Sequence, residues 1–225
     1  MNESIANSKV YFSRIKNYFK NNIKLIIIIL SLCFLLFLAF QIFSFYSKNK
    51  ILTNSKEFYN IQNIENTEEV KKIITQLSQE KNFYAILSKL ELIDLNLKSK
   101  NYDKVLDIYK DLLKDKKINN IYKSSIALKA SYEFININLN ELSKNYLDSI
   151  KLLMSYIDDE LDNYKGSRLE LNYLLSILNL QINNIEYTKS MEAIDIYNNI
   201  QTSDFISPAI KERVKKIHEF FSYKK

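Results

Sequence analysis

The chain has 225 residues and a net charge of +6, with one glycine, one proline and one cysteine. Hairpins and tight turns rely on glycine and proline, so this composition excludes an all-β domain and predicts an all-α fold. Residues 1–45 carry +4 of the net charge, and the nearly neutral remainder argues against nucleic-acid binding.

Residues 25–45 form an apolar run, LIIIILSLCFLLFLAFQIFSF, without a charged side chain. A helix of this length spans about 32 Å, close to the thickness of a bilayer's hydrocarbon core. The run is longer than the core of a cleaved signal peptide, and bulky residues such as Phe45 stand where cleavage needs small ones. Leu32 precedes Cys33, so the cysteine lacks the small neighbour of a lipoprotein signal. The sequence therefore predicts an uncleaved transmembrane anchor at 25–45.

The flanks of this run predict its orientation. Five cations precede it, against the single acid Glu3, and three lysines follow within twenty residues. Cations stay on the cytoplasmic side, which predicts a cytoplasmic tail at 1–24 and a C-terminal part outside. Phe12, Ile15 and Phe19 recur at helical spacing among the cations. Either an amphipathic helix on anionic lipid or a disordered basic tail fits this pattern.

Residues 46–80 are predicted to form membrane-proximal helices. Residues 46–60 either continue the anchor helix or follow it closely. Asn66 then caps a further helix, with Glu69 completing a capping box. That helix carries one apolar stripe, which comprises Val70, Ile73, Ile74 and Leu77.

Residues 81–225 are predicted to form a short α-solenoid of stacked helical hairpins with a C-terminal capping helix. A shift of 44 residues places Asn101-Tyr102 on Asn145-Tyr146, and a second equal shift continues the alignment. The predicted hairpins cover 82–114, 121–158 and 168–201. In the capping helix Ser207 serves as N-cap and Pro208 begins the first turn. The period lies closer to HEAT-type repeats than to the 34-residue tetratricopeptide unit, so the repeat geometry stays open.

The chain offers few groups for catalysis, and we predict no catalytic, cofactor-binding or metal-binding residue. His218, the only histidine, is interpreted as a solvated surface residue, and Gly166 alone cannot build a phosphate-binding loop. Cys33 lies within the apolar run, so no Cys/His cluster can bind zinc. Asp158-Asp159-Glu160 is interpreted as a solvated charged run. A non-catalytic protein is expected.

The first helix of each hairpin lines one face of a solenoid, and such a face binds extended or helical peptides. The 44-residue alignment predicts which side chains line it, although the same positions could be core between hairpins. The predicted groove residues are Leu87, Leu90, Asp94, Ser131, Phe134, Leu175 and Leu178.

Two features of this domain resemble known repeats. Asn101-Tyr102-Asp103 is similar to the start of the second helix of a tetratricopeptide repeat. Val105 stands where that repeat has alanine, and Lys100 replaces its glycine. With the basic tail, the anchor and the helix from Tyr84 to Leu92, the chain resembles the bacterial YfgM-like family, ancillary subunits of the SecYEG translocon. The order of tail, anchor and helical domain resembles that family over nearly the whole chain. The specific sequence motif resembles it over about residues 83–113.

This resemblance implies a single-pass protein of the bacterial inner membrane, with its N-terminus in the cytoplasm and its repeat domain in the periplasm. The implied partners are the SecYEG translocon, a membrane-anchored periplasmic chaperone and exported polypeptides. The implied role is non-catalytic. Two alternatives remain: a scaffold or assembly factor for an envelope or cell-division complex, and a cytosol-facing organelle receptor of the tetratricopeptide type.

Overall fold

A computed structural model describes residues 2–141 and 144–223, with side chains from Lys20 onward except Asn21. The side chains of Phe12, Ile15 and Phe19 lie outside the described residues. The fold is all-α, as predicted, and no strand occurs in the described part. The helices are α1 (Asn2–Asn60), α2 (Thr67–Ser78), α3 (Phe83–Lys98), α4 (Tyr102–Lys114), α5 (Asn120–Asn140), α6 (Leu147–Met154), α7 (Asp162–Ile182), α8 (Met191–Thr202) and α9 (Pro208–Tyr223), with 3₁₀ turns at Ile61–Asn63 and Tyr187–Lys189.

Helix α1 carries the apolar run. Its backbone leaves the helical region at Asn22 (φ −112°, ψ 15°), just before the run begins. The 42-residue stretch Asn22–Asn63 is long and apolar enough to cross a membrane, and none of its most apolar window is buried in the protein. The helix continues to Asn60, which is the first of the two alternatives that the sequence leaves open.

The chain divides into two compact units. The first runs through Ile73 and also contains Glu80–Tyr84. Within it, the Tyr84 hydroxyl donates to Ser55 Oγ at 2.8 Å, and Lys50 Nζ lies 2.7 Å from Glu80 Oε2. These contacts tie the 80–84 turn to the C-terminal part of α1.

The second unit contains Ile74–Gln79 and the chain from Ala85 onward. It holds the three predicted hairpins, α3–α4, α5–α6 and α7–α8. The third hairpin begins at Asp162, six residues before the predicted boundary at 168. One apolar core joins the first two hairpins to α7, and a second core lies among α7, α8 and α9.

Both predicted N-cap residues accept hydrogen bonds from the first turn of their helix. Asn66 Oδ1 accepts hydrogen bonds from the backbone N–H groups of Glu68 at 3.0 Å and Glu69 at 3.4 Å. Ser207 Oγ accepts from the Ile210 N–H at 3.4 Å, and Pro208 opens α9. The capping helix packs through its predicted stripe, Ile210, Val214, Ile217 and Phe221.

The first helices of the hairpins do not repeat at 44 residues. A shift of 42 superimposes the buried positions of α3 on those of α5, and a shift of 43 superimposes those of α5 on α7. The pairs are Ala85 with Ala127, Leu92 with Phe134 and Ile93 with Ile135, then Ala130 with Tyr173, Phe134 with Ile177 and Ile135 with Leu178. The second helices begin 45 and 44 residues apart, at Tyr102, Leu147 and Met191. The equal shifts of the sequence alignment are therefore wrong for the first helices.

Lys100 adopts a left-handed backbone, φ 56°, at the end of α3. The Asn101 N–H donates to the Asn96 carbonyl and the Lys100 N–H to the Leu97 carbonyl, both at 2.9 Å. This is the turn in which helices use glycine, because a Cβ is disfavoured there.

Lys100→Gly is therefore expected to raise the free energy of unfolding by about 1 kcal/mol. Urea denaturation monitored by circular dichroism measures the change. The matched control, Glu91→Gly at an exposed position inside α3, is expected to lower stability by about 1 kcal/mol. Equal losses in both variants would contradict the proposed strain at Lys100.

Candidate functional site

The predicted groove residues on α3 are accessible. Leu87 and Leu90 are half-buried, and Asp94 is exposed. The Asp94 carboxylate lies 3.6 Å from Lys129 Nζ on α5, so this face of α3 is continuous with a polar face of α5.

Three other predicted groove residues lie in the core. Ser131, Phe134 and Leu178 are 0% exposed. The Ser131 hydroxyl donates to the Ala127 carbonyl at 2.8 Å, and the Phe134 ring packs edge-on against Tyr146 with centroids 5.1 Å apart. A partner cannot contact these three side chains in this structure. Of the two alternatives that the sequence leaves open for these positions, the structure shows core packing for these three. The 44-residue shift misplaced them because the first helices repeat at 42 and 43 residues.

The correct register carries the α3 face onto α5 and α7. Adding 42 to the number of each accessible α3 residue gives the equivalent residue on α5, and adding a further 43 gives the equivalent residue on α7. We call these nine positions the repeat face: Leu87, Leu90 and Asp94; Lys129, Tyr132 and Asn136; Asn172, Leu175 and Asn179. Leu175, the remaining predicted groove residue, belongs to this face.

A groove of about 460 Å³ lies over the α7 part of the repeat face. Helix α7 supplies half of the lining residues, all on one stripe, and α6 and α8 supply the two walls. We call it the α7 groove; its lining is Leu147, Lys151, Leu169, Asn172, Leu175, Ser176, Asn179, Glu192, Ile196 and Asn199.

Carboxamide groups with unused hydrogen-bonding capacity line this groove. The half-buried Asn172 side chain forms no hydrogen bond within the described residues. Asn179 Oδ1 accepts from Asn183 Nδ2 at 3.0 Å, and Asn199 Oδ1 accepts from Ser203 Oγ at 3.2 Å. Neither Asn179 nor Asn199 donates through its Nδ2 within the described part of the chain, so these donors are available to a ligand.

Two opposite charges stand on the walls. Lys151 on α6 and Glu192 on α8 are both exposed. Neither forms an ion pair within residues 2–141 and 144–223. The groove therefore offers one cation and one anion to a ligand and no net charge.

A buried carboxylate on α7 binds side chains from two neighbouring helices. The Glu170 side chain is 3% exposed and accepts two hydrogen bonds from Arg213 of α9, Nε at 2.8 Å and Nη2 at 2.7 Å. The Tyr132 hydroxyl of α5 donates to the same carboxylate at 2.7 Å. Burial raises the pKa of Tyr132, and the hydrogen bond to Glu170 raises the pKa of Arg213, so both remain donors. This cluster joins α5, α7 and α9.

Residues 16–133 match the family described as Tetratricopeptide repeat-like domain. The matched segment covers more than half of the chain and includes the apolar run, the first hairpin and most of α5. The chain belongs to this family. No curated protein and no solved structure matches it.

The tetratricopeptide repeat-like (TPR-like) domain is a protein-interaction fold and generally non-enzymatic. The TPR-like fold implies protein partners in general. The α7 groove is the part of that surface with concavity and unpaired polar groups.

His218 differs from the sequence interpretation, because it is packed rather than solvated. Its ring stacks on Tyr197 with centroids 3.8 Å apart. Its Nδ1 lies within hydrogen-bond distance, 2.7 Å, of the Tyr187 hydroxyl, and that hydroxyl lies 3.1 Å from the Tyr173 hydroxyl. Burial lowers the pKa of His218, while neighbouring Glu219 opposes the shift.

Because the folded state binds this proton less tightly than the unfolded state, stability is expected to fall as pH drops below about 6.5, the ordinary histidine pKa. Above that pH the His218 ring is neutral in both the folded and the unfolded state, and its packing contributes fully to stability. No other histidine titrates in this range. Urea denaturation at pH 7.5 and 5.5 measures the loss, and His218→Phe should reduce it. An unchanged difference between the two pH values in the variant would contradict the assignment.

Sequence reasoning missed most of the α7 groove. Asn172 and Asn179 stand seven residues apart around Leu175, which is a recognisable one-face spacing. Their identification required the true register of the first helices. The wall residues Lys151 and Glu192 carry no pattern that separates them from other surface charges.

Proposed function

We propose that this TPR-like protein is a non-catalytic, membrane-anchored binding protein that serves the Sec translocon on the periplasmic side. Its action is protein–protein binding, as an ancillary subunit or chaperone partner. The observation that carries the proposal is the α7 groove, a concave site with unpaired polar groups on the repeat face of a chain whose first helix can span a membrane.

The apolar run supports the anchor. Its side chains are exposed along the length of α1, as lipid contact requires, and the charges concentrate before it. With residues 1–24 in the cytoplasm and the span at 25–45, the units that follow lie in the periplasm. The anchor then limits the partners to those at the outer surface of the inner membrane.

The choice of partner rests on the resemblance to the YfgM-like family. The SecYEG translocon, a periplasmic chaperone and exported polypeptides are the proposed partners, and nucleic acid is not. The proposed binding surface comprises the α7 groove together with Leu87, Leu90 and Asp94 of the repeat face.

Photo-crosslinking in membranes tests this function. A benzoylphenylalanine is placed in the full chain at Lys151, Glu192 or Asn199, all at exposed groove positions. Asn198, exposed on α8 but outside the lining, is the matched control position. Adducts with translocon subunits or an exporting chain are expected from the groove positions and not from Asn198.

If no groove position forms such an adduct, the proposed translocon function is wrong. Adducts from the groove with an envelope or cell-division complex would favour the scaffold alternative instead. Mass spectrometry of the adduct identifies the partner in either case.

A further inference from the structure

We infer that the N-terminal segment of α1, residues 2–21, lies along an anionic lipid surface as an amphipathic helix. We call this segment the surface helix. Its partner is the bilayer leaflet on its own side of the membrane, through the lipid headgroups and the adjoining ends of the acyl chains. This placement requires the membrane anchor of the proposed function and is independent of the translocon as partner.

The backbone of this segment is helical and is separated from the anchor by a break. Helix α1 begins at Asn2 and leaves the helical region at Asn22, where φ is −112° and ψ is 15°. Because of this break, the residues before and after Asn22 need not share one helix axis. The break comes just before the apolar run, which begins at Leu25. The surface helix can therefore lie along the membrane while the anchor crosses it.

One face of the surface helix is apolar in sequence. Successive residues of an α-helix are rotated by about 100°, and almost all the large apolar residues of 2–21 then fall within an arc of about 140°. These residues are Ile5, Tyr11, Phe12, Ile15, Tyr18 and Phe19, with Val10 outside the arc. If α1 continued straight from the anchor, this arc would extend about 30 Å into water. A lipid surface covers such an arc instead.

Basic residues border the apolar arc on both sides. Lys9, Lys16 and Lys20 stand within about 60° of one edge. Arg14 stands within about 40° of the other edge, and uncharged Asn17 stands opposite the middle of the arc. Cations at these register positions are typical of helices that lie in the interface of anionic membranes. The lipid that fits this charge pattern is therefore anionic.

Tryptophan fluorescence tests the placement, because the chain has no tryptophan of its own. The full chain is reconstituted in nanodiscs with Phe12→Trp, on the apolar arc, or with the matched control Asn17→Trp, on the opposite face. The nanodiscs contain phosphatidylcholine alone or an equal mixture with phosphatidylglycerol, and brominated acyl chains quench any indole that enters the bilayer.

In the anionic nanodiscs we expect the quenching of Phe12→Trp to be about threefold stronger than that of Asn17→Trp, because the apolar face of such a helix lies about 5–10 Å deep. The emission of Phe12→Trp is expected to shift to the blue, and that of Asn17→Trp is expected to stay at its wavelength in water. Without phosphatidylglycerol the quenching of Phe12→Trp is expected to fall.

Removal of two cations tests the preference for anionic lipid. Lys9→Gln with Lys16→Gln, in the Phe12→Trp chain, is expected to weaken quenching in anionic nanodiscs about twofold. Lys116→Gln with Lys117→Gln, in the exposed turn after α4, removes the same charge elsewhere and is expected to leave quenching unchanged. Circular dichroism verifies that both double variants fold.

Equal quenching at the two tryptophan positions would show a disordered tail, and emission as in water at both would show a helix that projects from the membrane. Either result would overturn the inference, and so would quenching that does not depend on phosphatidylglycerol. If the expected pattern appears without any translocon adduct from the groove, the surface helix stands and the translocon function is wrong. If such adducts form while quenching is equal at the two positions, the function stands and the surface helix is wrong.

Discussion

Arg213→Ala is expected to lower the free energy of unfolding by about 3 kcal/mol, because it leaves the buried Glu170 carboxylate without its cation. The Arg213 side chain is itself 56% exposed, so part of the pair is screened by water and the loss stays at the lower end of the range for buried pairs. Tyr132 would remain as a single donor to the carboxylate. Urea denaturation followed by circular dichroism measures the loss.

Lys216→Ala on the same helix is the matched control. Lys216 pairs with Glu212 at 3.6 Å, and both side chains are largely exposed. Its removal is expected to cost less than about 0.5 kcal/mol. Similar losses of stability in Arg213→Ala and Lys216→Ala would contradict the claim that the buried Glu170 carboxylate needs Arg213 as its cation.

Phe134→Ala is expected to destabilise the chain by about 3–5 kcal/mol through loss of buried surface and creation of a cavity. Phe134 is 0% exposed and contacts Tyr146 across the hairpin α5–α6. The same denaturation experiment applies. If Phe134 instead lined a groove, as the 44-residue alignment predicts, Phe134→Ala would change the free energy of unfolding very little.

Leu87→Ala provides the comparison on the accessible face. Leu87 is half-buried, so its truncation is expected to cost about 1 kcal/mol. A loss at Leu87 as large as at Phe134 would contradict the register of 42 residues between α3 and α5.

The helices themselves could be predicted from the sequence because their signals are local. Asn66 and Ser207 mark helix starts through cap chemistry, and the apolar spacing of α4 and α9 selects their buried faces. The scarcity of glycine and proline excludes hairpin-rich folds by the same local logic.

The repeat face could be predicted only in part because it depends on turn lengths. The first helices repeat at 42 and 43 residues while the second helices begin 45 and 44 apart, so one uniform shift cannot fit both. An error of one or two positions rotates a helical residue by about 100–200°, which exchanges core for surface at Ser131 and Phe134.

Contacts between hairpins were not predictable for another reason. Glu170 meets Tyr132 and Arg213 from 38 and 43 residues away, and no local pattern pairs them. The Tyr146 hydroxyl likewise donates to Asp103 at 3.1 Å, with burial raising the pKa of Tyr146 to about 12. Such hydrogen bonds depend on how neighbouring hairpins pack against one another, which local sequence does not specify.

The claim that the anchor places the α7 groove in the periplasm is tested most directly by cysteine accessibility. Cys33 is the only cysteine, so Cys33→Ser gives a background for single cysteines at Lys117, in the turn after α4, or at Ser8 in the basic tail. A membrane-impermeant maleimide is applied to intact spheroplasts, with carbonate extraction to verify membrane retention. We expect labelling of Lys117→Cys and protection of Ser8→Cys until the membrane is permeabilised. Labelling of Ser8→Cys alone, or release of the chain by carbonate, would contradict the account.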